Sequence, residues 1–168
     1  MIPYATGPEP TERDLEELRL QLGRPARGVV AIAARCACGR PLVVKTAPRL
    51  PDGSPFPTTF YLTHPQAVAL ASTLEASGVM KRWTARLAED PDLAARYRAA
   101  HEHYLAAREE LGHVEEIEGV SAGGMPDRVK CLHALLAHSL AAGRGVNPVG
   151  DEVLDLVADQ WRPDRCTC

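Results

Sequence analysis

The chain has 168 residues, a formal charge of −3, 45% apolar residues and 24% charged ones. That balance fits one globular domain able to bury roughly 70% of its unfolded surface, and it excludes the disordered and collagen-like classes. The slight acidity excludes a bulk electrostatic grip on nucleic acid, and no run of about 20 apolar residues offers a membrane span.

Pro3, Gly7, Pro8 and Pro10 predict a flexible segment over 1–10. A single domain follows over 11–162, with a flexible tail over 163–168. The start MIPYATGPEPTERD lacks the basic and apolar regions of a signal peptide, so a cytoplasmic protein is expected. Its five cysteines, an odd number, then read as thiols or metal ligands rather than a disulfide framework.

Thr11 is placed as an N-cap with Asp14 at N3, followed by Leu15, Leu18 and Leu22 at helical spacing and a stop at Gly23. RGVVAIAA (27–34) and LVVKT (42–46) read as two strands of a hairpin whose tip, RCACGRP, carries Cys36-x-Cys38. A proline-rich loop over 47–58 leads to a third strand, TFYL at 59–62. The expected fold class is α+β: a small three-stranded antiparallel sheet, hairpin plus third strand, packed against five or six helices.

Helices are expected from His64-Pro65 to Gly78, over Val79 to Ala88, and from an Asp90 N-cap with Pro91 at N1 as far as Gly112. His101 and His103 on the last of these read as solvated surface. After a linker from Gly112 to Gly124, a helix is expected from Pro126 to Ala142, burying a stripe of Val129, Leu132, Leu135, Leu136 and Leu140. Asn147-Pro148 and Gly150-Asp151 then read as the turn and cap of a final helix carrying Val153, Leu154, Val157 and Trp161.

Two candidate sites converge on the stretch Ser121–Asp151. The first is a metal site. His133-x4-His138 has zinc-finger spacing, yet on a regular helix the two rings diverge by about 140°, and Cys131 lies about 160° from His133. A shared ion therefore needs Cys36 and Cys38 from the hairpin tip, joined by one or two of Cys131, His133 and His138, with zinc as the expected metal. Cys166-x-Cys168 is a second such pair, so a four-cysteine site is the alternative. Without metal, Cys131 packs at the core edge, the histidines bond to nearby carbonyls and the last cysteines are incidental.

The second is an anion pocket for a phosphate-type ligand. Ser121, Gly123 and Gly124 can present backbone N–H groups at a helix start, with Arg128 and Lys130 adding positive charge and Arg49 completing the pocket if its loop folds over. The other reading of Gly-Gly is a sharp entry turn with solvated basic residues. No Walker loop, GxSxG, HExxH or dinucleotide-binding glycine pattern is present.

SAGGMPDRVKCLHALLAHSLAAGRGVNPVGDE, together with RGVVAIAARCACGRPLVVKTAPRL, DGSPFPTTFYLTHP and LEASGVM, resembles the bacterial, mainly actinobacterial, family called domain of unknown function 501. The likeness covers most of the chain from about Arg24 to Trp161. It implies a small cytoplasmic protein whose gene often neighbours those for a septum-formation initiator and an exopolyphosphatase, and it supplies no catalytic residues. Two functions are thus expected as alternatives. One is a metal- and anion-binding protein with hydrolase-like chemistry, the metal activating water or polarising a carbonyl. The other is a non-catalytic interaction protein with a partner in cell division or the envelope.

Overall fold

The computed structural model describes residues 7–166 and 168, so residues 1–6 of the expected N-terminal segment lie outside the described residues. Helix α1 (Glu12–Leu22) starts where Thr11 and Asp14 exchange capping bonds: the Asp14 N–H donates to Thr11 Oγ1 at 3.1 Å and the Thr11 N–H to Asp14 Oδ2 at 3.0 Å. Gly23, at φ 70°, ends it. Arg35 reaches the same carboxylate at 2.6 and 2.9 Å, and this guanidinium holds the Asp14 carboxyl far below the usual carboxylate range. One acid therefore caps the helix and ties it to the sheet.

The sheet has the order β1 (Val29–Arg35), β2 (Pro41–Thr46), β3 (Phe60–Leu62), antiparallel throughout. Being central, β2 is buried along its whole length, which is why LVV reads as a continuous apolar run. Leu18 of α1 packs with Ile32 and Val44 on one side, while Val43, Phe60 and Leu62 join the main core on the other. Ahead of α1, the Pro8 carbonyl accepts from Ile32 N–H at 3.1 Å.

Six α-helices occur among the described residues, and with the sheet they make the expected α+β arrangement. Helices α2 (Pro65–Ala76), α3 (Val79–Glu89) and α4 (Pro91–Glu109) follow their expected starts, and α4 stops short of the expected Gly112. On α4 the residues Leu93, Tyr97, Ala100, Tyr104 and Ala107 are fully buried, at intervals of four and three. The Tyr104 hydroxyl accepts from the N–H groups of Thr59 and Phe60, locking α4 to the entry of β3. One turn on, the buried Arg108 donates to the carbonyls of Pro57, Ile117 and Val120, which pins the linker with its short 3-10 turn at Glu115–Ile117. His101, expected on the surface, is buried, and its Nδ1 meets Ser121 Oγ at 2.8 Å.

The expected helix start at Pro126 is corrected: α5 runs from Leu132 to Ala142. Between them the backbone is engaged elsewhere. Val129 N–H donates to Thr84 Oγ1 on α3, the Arg128 carbonyl accepts from the Tyr97 hydroxyl, and Lys130 and Cys131 both donate to the Gly123 carbonyl. Those groups are not free to form an i to i−4 ladder. Nor is α5 amphipathic; Leu132, Leu135, Leu136, Ala137 and His138 are all wholly buried, as expected of a central helix apolar on every side. Helix α6 (Pro148–Val157) is capped by Asn147, whose side chain accepts from Gly150 N–H, and it packs directly on α5. Beyond it Pro163–Arg165 make one 3-10 turn, the Pro163 carbonyl accepts from Ala37 N–H at 2.8 Å, and Cys166 is buried. Among the described residues, no helix is long and apolar enough to cross a membrane.

Candidate metal centre

The β1–β2 hairpin tip is a tight turn. Cys36 N–H donates to the Arg40 carbonyl, Gly39 N–H to the Cys36 carbonyl, and Gly39 adopts φ 84°, open to glycine without a Cβ penalty. This turn fixes Cys36 inward and Cys38 at the surface. The Ala37–Pro163 bond then brings the end of the chain across it, and four cysteines arrive together. Cys36 Sγ stands 2.8 Å from Cys38 Sγ and 3.5 Å from Cys168 Sγ, and Cys38 and Cys168 are joined as a disulfide.

His64, the cap residue of α2, completes the group: its Nε2 is 3.3 Å from Cys166 Sγ. The ligand atoms of Cys36, His64, Cys166 and Cys168 all lie within 4.8 Å of one another, so this group could hold a metal ion. Burial pushes the His64 imidazole below its ordinary range and favours its neutral form, the form that binds metal or donates one N–H.

The three other expected ligands go elsewhere. His138 lies in the core, stacked on Phe60 and edge-on to Tyr104. Asn147 Oδ1 accepts from Gly150 N–H, so its amide N–H faces His138 Nδ1 at 3.1 Å, leaving His138 Nε2–H to donate to His103 Nδ1 at 2.9 Å. Burial holds this imidazole neutral, its pKa pushed down to about 3. Both ring nitrogens are thus committed. Cys131 and His133 form a separate group with Glu75 of α2, whose Oε1 accepts from Leu132 N–H at 2.7 Å and meets His133 Nδ1 at 2.9 Å. His133 and His138 diverge, as the helical angle requires.

Of the residues expected around an anion, Ser121, Gly123, Gly124, Arg128 and Lys130 share the wall of one cavity of about 660 Å³, together with the acidic Asp127. Arg49 is not in that wall; it donates to Glu116 at 2.8 and 3.0 Å and to the Gly53 carbonyl. The glycines have packing reasons: a Cβ on Gly123 would stand 2.6 Å from Leu135 Cδ2, and one on Gly124 2.7 Å from the Arg128 carbonyl oxygen. At the start of α5 the first N–H already has a carboxylate, that of Glu75.

A family model described as "Protein of unknown function (DUF501)" matches residues 32–155. The chain belongs to this family. No curated protein and no solved structure matches it. Within the DUF501 match lie Cys36, Cys38, His64, Glu75, Cys131 and His133, whereas Cys166 and Cys168 lie beyond it. His64 reads in sequence only as a helix start, and Glu75 as one more helical acid; nothing local marks either. The signal for Cys166 and Cys168 was the repeat of Cys-x-Cys at two places in the chain.

The His133–Glu75 pair carries a pH signature. The Cys131 sulfur and the Glu75 carboxylate outweigh partial burial and raise His133 from its ordinary value to about 9. A raised folded value means stabilisation that is complete below the unfolded value near 6.5 and lost as the pH rises through about 9. Wild type should therefore out-melt His133→Gln by the largest margin below pH 6.5. The margin should shrink on passing pH 9 in thermal scans; a constant margin across that range would refute the assignment.

Proposed function

We propose that this protein binds one zinc ion through the thiolates of Cys36, Cys38, Cys166 and Cys168, and that the ion fastens the end of the chain to the β1–β2 hairpin. The observation that carries this reading is the gathering of four sulfurs and one imidazole from three distant parts of the chain. Cys36 and Cys38 are not bonded to each other, yet their sulfurs are 2.8 Å apart, inside van der Waals contact. Four thiolates about 2.3 Å from a shared tetrahedral ion would stand about 3.8 Å apart, near the 3.5 Å between Cys36 and Cys168.

Thiolate donors select soft or borderline ions, and zinc is the one that takes four of them as a purely structural centre. His64 fits beside this set rather than in it. Its Nδ1 is buried with no hydrogen-bond partner. Ligation through Nε2 would place the ring proton on the partnerless Nδ1; the tautomer with Nε2–H leaves Nδ1 an unpaired acceptor instead and can donate to the Cys166 sulfur. Four sulfurs leave no position for water, so this metal acts as a staple and not as a water-activating centre. The reading requires Cys38 and Cys168 as thiolates, the state a reducing compartment maintains.

Elemental analysis tests it on protein purified in reductant without a metal-affinity tag. About one zinc per chain is expected in wild type and in Cys131→Ser, with less than about a tenth of that in Cys36→Ser and Cys166→Ser. Metal-free wild type, or equal loss in Cys131→Ser, would remove the proposal.

A further inference from the structure

Cys131 stands in the wall of two cavities. One, of about 650 Å³, is lined by residues of α1, β3, α2 and α5, among them Leu22, Phe60, Leu62 and Val68; apart from His133 no lining residue bears a charge. The other is the glycine-loop cavity of about 660 Å³ that contains Arg128 and Lys130. At their common wall Cys131, a free and half-buried cysteine, precedes the first residue of α5. The positive end of that helix therefore lies beside its sulfur.

We propose that Cys131, His133 and Glu75 form a nucleophilic site for esters with an apolar acyl chain, in which Cys131 attacks, His133 carries the proton and Glu75 positions the imidazole. None of these residues belongs to the four-sulfur cluster, so the site stands independently of the zinc reading. Glu75 Oε1 holds His133 Nδ1 and the Leu132 N–H together, so one carboxylate sets both the ring and the start of the helix that presents the sulfur. The ligand atoms of the three side chains lie within 4.8 Å of one another. Glu75 and His133 are 25% and 28% exposed, so their bond is partly shielded from water.

Ser72 Oγ, 3.1 Å from His133 Nε2, is the competing nucleophile. It is the weaker choice: Ser72 lines neither cavity, whereas Cys131 lines both, and a hydroxyl is a poorer nucleophile than a thiol. The His133 imidazolium serves as counter-charge to the attacking sulfur.

The apolar side chains of Leu22, Phe60, Leu62 and Val68 in the first cavity suit an acyl chain. In the first step the thiolate form of Cys131 attacks: a C–S bond forms at the ester carbonyl, the C–O bond breaks, and the imidazolium of His133 gives its proton to the departing alkoxide. Water then attacks the thioester and passes a proton to His133 as the C–S bond breaks. The carboxylic acid leaves, and the sulfur anion and imidazolium are restored.

The test uses the full chain with 4-nitrophenyl butyrate as probe. A burst of about one nitrophenol per chain is expected, with butyryl found on the Cys131 peptide by mass spectrometry. Cys131→Ser should abolish the burst, and His133→Asn should slow it by roughly 10²–10⁴. Glu75→Gln should lower kcat about tenfold or more with KM unchanged, a split that mere loosening of α5 would not produce. Val68→Trp, which fills the apolar cavity, should raise KM for the butyrate ester while 4-nitrophenyl acetate is still turned over. Variants are compared only where circular dichroism shows the wild-type fold. No burst from folded wild type, butyryl on Ser72 or another residue, or an undiminished rate in His133→Asn would each overturn the proposal.

Discussion

A chain carrying Cys166→Ser and Cys168→Ser is expected to melt at least 10 °C or so below wild type in reductant, and to lose its response to chelator. Two contributions set that size. In reductant the proposed ion, not a disulfide, links Cys38 to Cys168 across a sequence separation of 130, and by analogy with a covalent cross-link a closure of about 100 residues is worth about 4.7 kcal/mol in the chain-entropy account. The metal adds the free energy with which a formed site binds zinc, about 10–16 kcal/mol in small finger peptides.

Much of that second amount is offset here, because most of the apolar core is built from side chains other than the proposed ligands. Leu135, Val43, Tyr97 and Tyr104 are wholly buried in the main core, which also takes in Cys36 and Cys166. A net loss of about 3–5 kcal/mol follows, and in a domain of this size each kcal/mol moves Tm by roughly 2–4 °C. Thermal denaturation with and without chelator measures it. Coincident melting curves for the double variant and wild type would show that the sulfurs carry no staple.

Gly150→Ala should destabilise the protein by about 3 kcal/mol or more, the upper end for an overpacked core. Gly150 lies in the first turn of α6, pressed on α5, and a Cβ there would fall on the Leu135 carbonyl oxygen and on Ser139 Oγ. Neither neighbour can yield cheaply. Leu135 is wholly buried in the main core, and Ser139 Oγ donates to the Asn147 carbonyl at 3.1 Å. Separating the helices would also strip Asn147 from His138, leaving a buried imidazole nitrogen unpaired. Asp155→Ala, on the exposed side of the same helix where Asp155 meets Arg144, is the control and should stay within about 0.5 kcal/mol. Urea unfolding of both variants decides the matter; equal midpoints would mean that α6 shifts freely along α5.

Much of the fold was legible because its signals are local. The caps at Thr11, Asp90 and Asn147 act on N–H groups two or three residues away. The stop at Gly23 likewise acts within one turn. The hairpin needed only two apolar runs and a turn with Gly39 and Pro41 between them. Pro126 misled because it satisfied the local rule for a helix start, while the partners that hold the following N–H and carbonyl groups, Thr84 and Tyr97, come from α3 and α4. His101 misled for the same kind of reason. Position on a helix says which way a side chain points, not what packs against it, and here Ser121 of the linker does.

The sequence by itself determined the α+β class, the elements and most of their ends, the Cys-x-Cys at the hairpin tip, and the divergence of His133 from His138, since all follow from spacing and near neighbours. Only the tertiary structure decided that Cys36 and Cys38 face Cys166, Cys168 and His64 rather than Cys131, His133 and His138. It alone decided, too, that Cys131 and His133 belong with Glu75. The physical reason is range. Which donors share a centre depends on where Pro163 docks on Ala37 and where α2 lies against α5, contacts that no periodicity along the chain encodes.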